Sequence, residues 1–218
     1  MINKSNERHI IISDLRKLLN EKWPDTTLNP KAPSCKNRLK ISVLNSFIPN
    51  QSLLYGQIIE ITGKLGSGRT SIVWKIIRDI SENENIVYID TTELFFPPAI
   101  MNIGVNYENF FFAQSEDLSR AVLNTELILR KRIAKAVVID TMDECKMIAP
   151  ALLHRMRLQA INSNGMVIFL TGLNSSILPS STVGLKLRIE KKNEVKQRLI
   201  VVKSRLCREG MEAELNNG

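Results

Sequence analysis

The octapeptide Gly63-Lys64-Leu65-Gly66-Ser67-Gly68-Arg69-Thr70 stands between an apolar run at residues 57–62 and an amphipathic pattern at residues 70–80. Three glycines in eight residues do not fit inside a regular element. The chain therefore has to leave a strand, turn through conformations open to glycine, and enter a helix. The helix is legible in Ile72, Val73, Ile76, Ile77 and Ile80, which fall on one stripe at helical spacing. A turn of this kind aims backbone N–H groups inward around an anion, and the helix N-terminus adds the positive end of its dipole. The segment meets the phosphate-loop pattern G-x-x-x-x-G-K-[ST] at every defining position except the lysine, which is Arg69. Gly63, Gly66, Ser67, Gly68, Arg69, Thr70 and Ser71 are the candidate nucleotide-phosphate ligands, with the Thr70 hydroxyl a candidate for Mg²⁺. Arginine grips phosphate oxygens bidentately but is bulkier than lysine, so binding is expected and fast hydrolysis is not. The alternative is a glycine-rich joint that binds nothing.

Downstream, short apolar runs at residues 86–90, 109–113, 136–140 and 166–171 alternate with helical patterns at 118–130 and 150–161. Runs of about five residues rich in Ile, Val or Phe read as strands buried on both faces. Their alternation with helices predicts an α/β fold, a mostly parallel sheet flanked by helices. Phe110-Phe111-Phe112 is expected to be buried strand rather than a base-stacking platform. Asp140, closing the run at 136–140, is the candidate second Mg²⁺ residue, acting through water beside the phosphate loop. Leu185, Leu187 and Ile189 alternate with Lys186, Arg188 and Glu190, then a turn at 191–194 leads into a second strand at 198–203. This reads as a C-terminal antiparallel hairpin. Residues 186–208 carry nine basic side chains against two acids, which marks the hairpin as a nucleic-acid candidate or as ordinary edge-strand charge.

Residues 1–50 read as an N-terminal helix and linker, 51–210 as the core, and 211–218 as a C-terminal tail. The helix is carried by Ile11, Ile12, Leu15, Leu18 and Leu19, and Pro30, Pro33 and Pro49 break the stretch after it. Net charge is +8 over 218 residues, consistent with an anionic partner such as nucleic acid. Cys35, Cys145 and Cys207 lie too far apart for metal-ligand spacing, and His9 and His154 are the only histidines, so His- or Cys-based metal chemistry is not expected. No signal peptide or membrane-spanning run is legible, and a cytoplasmic protein without membrane association is expected.

In residues 89–140, Asp90, Pro97, Gly104-Val105, Asn109, Gln114 and Asp140 fall in an order and spacing that resembles the RecA family. Asp140-Thr141 stands where the family has Asp-Ser. Residues 166–171 resemble its next core strand, and Val201-Val202-Lys203-Ser204-Arg205 its basic strand near the end of the core. The resemblance spans residues 50–209 and implies a RecA-like P-loop NTPase core. It also implies ATP and Mg²⁺ as ligands and a role in DNA recombination, repair or damage response. It implies that Lys203 and Arg205 reach a neighbouring subunit's nucleotide in a homo-oligomer, or DNA.

Three positions of the family's chemistry differ here. The glutamate that activates water is matched by Thr92, with Glu93 one step away and a weak catalytic candidate. The loop lysine is Arg69, and the phosphate-sensing glutamine is Gly172. The loop between Gly172 and Val183 is short and carries no basic residue. The pattern is similar to accessory RecA relatives of the ImuA type, which work in damage-inducible translesion synthesis, and this implies RecA or translesion DNA polymerase subunits as partners and DNA as a further one. Two other readings stay open: a DNA-stimulated ATPase using Arg69 and Glu93, and a cell-division inhibitor or signalling protein on the same fold.

Overall fold

The structure, a computed structural model, describes residues 38–40, 42, 52–141, 147–193, 196–205, 207 and 209–216. The helix expected near residues 11–19 lies outside the described residues, as do Cys35, Cys145 and most of the proline-bearing linker. The described residues belong to one compact unit that starts at Arg38. Two short strands, β1 (Arg38–Lys40) and β2 (Ser52–Leu54), pair with each other in antiparallel fashion.

The main sheet has eight strands. In chain order these are β3 (Gln57–Gly63), β4 (Ile86–Asp90), β5 (Phe110–Gln114), β6 (Ala136–Asp140), β7 (Met166–Gly172), β8 (Leu185–Lys191), β9 (Lys196–Ser204) and β10 (Glu212–Asn216). Their spatial order is β10-β9-β8-β3-β7-β6-β4-β5. From β8 to β5 every pairing is parallel, while β9 and β10 run antiparallel. The helices are α1 (Arg69–Ser81), the short α2 (Pro97–Met101), α3 (Leu118–Arg130) and α4 (Pro150–Ser163).

Alternation along the strands divides the core into two layers. Ile59, Ile61, Val138, Ile168 and Leu170 face α1 through Ile72, Val73, Ile76, Ile77 and Ile80. Ile58, Val137, Ile139, Val167 and Phe169 face α3 and α4 through Val122, Leu129, Leu153 and Met156. Ile177, Leu178 and Val183 join this second layer, so the loop after β7 is packed into the core. Among the described residues no helix is long and apolar enough to cross a membrane.

Two expectations change. Phe111 and Phe112 are 46% and 45% exposed, because β5 is the outermost strand and has a neighbour on one side only. The segment expected as a tail contains β10, which pairs with β9. Ala213 and Leu215 pack on the first core layer while Glu212 and Glu214 point the other way, an alternation too short and too polar to stand out.

Candidate functional site

The parallel register brings the C-terminal ends of four strands into one row: Gly63 beside Gly172, Leu170 beside Asp140, Asp140 beside Asp90. Ligands of open α/β sheets bind at such a row. Gly63 to Thr70 turns there from β3 into α1. Gly66 and Gly68 have φ of 74° and 89°, conformations that favour glycine. Gly68 is also the N-cap of α1, with no side-chain cap and no acid in the first turn, so no side chain of the helix itself competes with an anion for its N-terminus.

Close packing explains two of the glycines further. A Cβ on Gly68 would lie 1.6 Å from Gln197 Nε2, and one on Gly63 would lie 2.5 Å from Ser67 Oγ and 2.7 Å from the Ile189 carbonyl oxygen. Gln197, on β9 and 4% exposed, thus braces the loop from the antiparallel end of the sheet. Ser67 is buried, and its Oγ has no hydrogen-bond partner among the described residues.

A cavity of about 410 Å³ joins the loop to the strand ends. Gly66, Gly68, Arg69, Thr70 and Ser71 form one wall, Tyr88, Thr92 and Asp140 another, and Trp74, Leu94, Phe95, Phe96 and Ala99 an apolar third. The volume lies in the range of small-molecule sites. Of the expected ligands, Gly66, Gly68, Arg69, Thr70, Ser71 and Asp140 line this cavity. Ser67 lines a second cavity of about 470 Å³ on the other flank of the loop, with Lys64, Ile189 and Lys191.

Arg69 turns under the loop. Its Nη1 donates to the Thr171 carbonyl at 2.6 Å and to the Gly63 carbonyl at 3.3 Å, so the guanidinium spans the ends of β3 and β7. On the opposite wall, Tyr88 Oη donates to Asp140 Oδ2 at 2.5 Å. Burial raises the Asp140 carboxyl above the ordinary range, outweighing the Tyr88 hydrogen bond and the Arg69 charge, which act the other way. Burial first, and the Asp140 charge second, push the Tyr88 phenol far up. Tyr88 stacks on Trp74 with ring centroids 4.8 Å apart, and Phe95 packs against both.

Asp90, 1% exposed, is occupied with the chain that follows it. Its Oδ1 accepts from Thr92 N at 2.7 Å and Thr92 Oγ1 at 2.6 Å, and its Oδ2 from Phe95 N at 3.1 Å. Thr92 is therefore a buried cap on Asp90. The strand ends at Asp90, and Glu93 is exposed with φ 60° and is not among the residues lining the cavity. Gly172 accepts a hydrogen bond from Thr62 Oγ1 through its carbonyl.

Lys203 and Arg205 turn back on their own chain, donating to the carbonyls of Ser180 and Ser181. Most of the hairpin's charge is likewise matched. Lys186 pairs with the buried Glu60 at 2.9 Å, Arg198 with Glu190 and Glu212, and Lys192 and Lys196 with Glu214. Two acids of β10, Glu212 and Glu214, pair with three of the basic side chains in what reads in sequence as a largely unmatched stretch. Tyr88, Gln197 and Glu60 were not singled out by sequence reading. The available signal was a polar atom within an apolar strand, which must find a partner when buried.

A strand, a glycine loop and a helix, with an acid ending a neighbouring parallel strand, define an α/β protein of the phosphate-loop class. No family model matches the chain. It is similar to RecA of Bartonella quintana, 25% identical over 180 residues, covering 67% of this chain and 52% of that protein. RecA of Bartonella bacilliformis is 26% identical over 153 residues, covering 59% and 44%. RecA of Rubrobacter xylanophilus is 31% identical over 87 residues, covering 39% and 25%. The chain spans about half or less of the length of these relatives. Together the matches support a RecA-like relationship, and the sheet is a RecA-like α/β core with an antiparallel extension at its C-terminal end.

Proposed function

We propose that this chain is a RecA-like accessory protein of DNA repair and damage response that binds ATP with weak or no hydrolysis and acts through protein partners. The observation that carries this reading is the contrast between the phosphate loop, which leaves its helix N-terminus open, and Thr92, which stands in the cavity wall without a carboxylate and gives its N–H and hydroxyl to Asp90. An anion fits the loop. Gly66, at φ 74°, lines the cavity with nothing within 4 Å of where a Cβ would stand, and the N-terminus of α1 behind it carries no side-chain cap. Thr70 and Asp140 line one cavity and offer the hard oxygen atoms that Mg²⁺ takes. When bound, Mg²⁺ offsets phosphate charge. Arg69 contributes positive charge at the same wall once its carbonyl contacts are exchanged for phosphate oxygens.

The partners we propose are RecA or translesion DNA polymerase subunits, or further copies of this chain. Support comes from the edge strand β5 and the segment before it, where Leu94, Phe96, Met101, Tyr107, Phe111 and Phe112 are exposed. DNA is a further partner in this reading, with Lys203 and Arg205 as the side chains to test.

Titration with a fluorescent ATP analogue and Mg²⁺, for the wild type and Arg69→Ala, tests the reading. Saturable binding is expected, weakened about tenfold or more in the variant. Phosphate release is expected to stay at background with single-stranded DNA present. Release stimulated by DNA would mean an active ATPase. Absence of binding would reduce the loop to a structural joint.

A further inference from the structure

Tyr88 occupies a position where the packing asks only for a flat ring. It is 1% exposed in the middle of β4, opposite Val138 of β6, with its ring stacked on Trp74 and tilted against Phe95. A phenylalanine would fill the same space. What the tyrosine adds is one hydroxyl, and that hydroxyl donates to Asp140 Oδ2 at 2.5 Å. A buried phenol needs a hydrogen-bond partner, and the stacked ring leaves it little freedom to choose another. The carboxylate at the head of the cavity is therefore bound, through one oxygen, to a donor fixed in the core.

This bears on the metal. A hydrated Mg²⁺ beside Thr70 would draw on the same carboxylate, since magnesium keeps several waters and those waters donate to nearby acids. It would have to share or displace a short hydrogen bond from Tyr88. The cavity also holds a permanent cation in Arg69, whose charge acts on Asp140 from across the site. Phosphate charge can thus be met by Arg69 once its carbonyl contacts are exchanged, while one oxygen of the acid that would recruit the metal is engaged by Tyr88.

We infer that Tyr88 is a positioning residue which holds Asp140 away from the metal, so that nucleotide binding at this phosphate loop depends little on Mg²⁺. The inference rests on the nucleotide reading above and deepens it. Arg69 carries the role of the cation, and Asp140 serves the Tyr88–Trp74 stack before it serves a metal.

The test compares affinity for a fluorescent ATP analogue in Mg²⁺ and in EDTA, for the wild type, Tyr88→Phe and the double variant Tyr88→Phe/Asp140→Asn. Chelation is expected to weaken wild-type binding less than about threefold. Tyr88→Phe frees a charged acceptor, whose hydrogen bonds are worth enough to give a loss on chelation of about tenfold. In the double variant, where the freed carboxylate is gone, the loss returns to less than about threefold. A purely structural role for Tyr88 would change affinity equally with and without metal, so the ratio is the decisive reading, and thermal melts confirm that each variant is folded. An equal Mg²⁺-to-EDTA ratio in the wild type and Tyr88→Phe, with binding retained, overturns this inference and leaves the nucleotide reading standing. Folded protein that binds no analogue in either condition, in any variant, overturns both.

Discussion

The two walls of the cavity are built on opposite terms. On the loop wall, Gly66 and Gly68 hold the backbone in left-handed turns and α1 presents an uncapped N-terminus. Nothing there is bonded in a way that blocks an anion except the Arg69 guanidinium, which rests on two carbonyls. On the acid wall the polar side chains are engaged within the protein: Thr92 caps Asp90, which lies behind the wall, and Asp140 accepts from Tyr88 through Oδ2. Holding a phosphate needs N–H groups and positive charge, whereas cleaving one also needs a group that activates water. The first wall keeps what holding requires. The second has turned its polar groups inward, toward the stability of the turn after β4 and of the aromatic stack.

The comparison breaks most directly at Gly68. Gly68→Ala puts a methyl group where Gln197 Nε2 now sits and forces a non-glycine residue to φ 89°. We expect a loss of about 2–4 kcal/mol, from strain at the turn together with overpacking, and loss of nucleotide binding. Urea unfolding and analogue titration measure the two. Gln197→Ala in the same chain should recover the overpacking share and leave the strain. If Gly68→Ala binds nucleotide like the wild type, the loop wall is not what holds it.

A smaller effect sharpens the acid wall. Thr92→Glu places a carboxylate at the position where the resemblance to RecA leads one to expect it. The local structure directs position 92 toward Asp90, which is 1% exposed. Two acids would then share a buried turn, one of them without the hydroxyl donation it now receives. We expect about 2–3 kcal/mol of destabilisation from the lost charged hydrogen bond and the like-charge contact, with no gain in phosphate release. Release above background in Thr92→Glu would show that the wall is one substitution from activity and would remove the contrast between the two.

Much of this was legible in the sequence, and the parts that were not share a cause. The strands at 86–90 and 136–140 and the helix at 118–130 have the bounds that their patterns predict. Apolar runs closed by a carboxylate or opened by a capping acid such as Asp117 carry their own ends. The loop and its helix were legible because glycine density and helical stripe are local signals. Misread features depend on neighbours distant in the chain. Three phenylalanines in a row look alike whether the strand is central or outermost, and only the sheet order separates the cases. Lys186 reads as surface charge until Glu60, buried on the adjacent strand, is placed beside it. Tyr88 and Asp140 are 52 residues apart, and no spacing rule joins them.

The smallest expected effect lies on the far face of the sheet and serves as the reference for the others. Arg155 on α4 reaches Glu126 on α3 at 2.8 Å; Glu126 is 8% exposed and Arg155 59% exposed. Arg155→Ala leaves a nearly buried carboxylate without its counter-charge, but solvent at the arginine end limits what the pair contributes. The cost should be about 1 kcal/mol rather than the larger figure for a fully buried pair. Helices α3 and α4 pack on the layer opposite α1, so affinity for the ATP analogue should not change. A change in affinity would mean that the sheet transmits strain between its faces, and the effects of Gly68→Ala and Thr92→Glu on binding would then have to be read as global rather than as properties of the two walls.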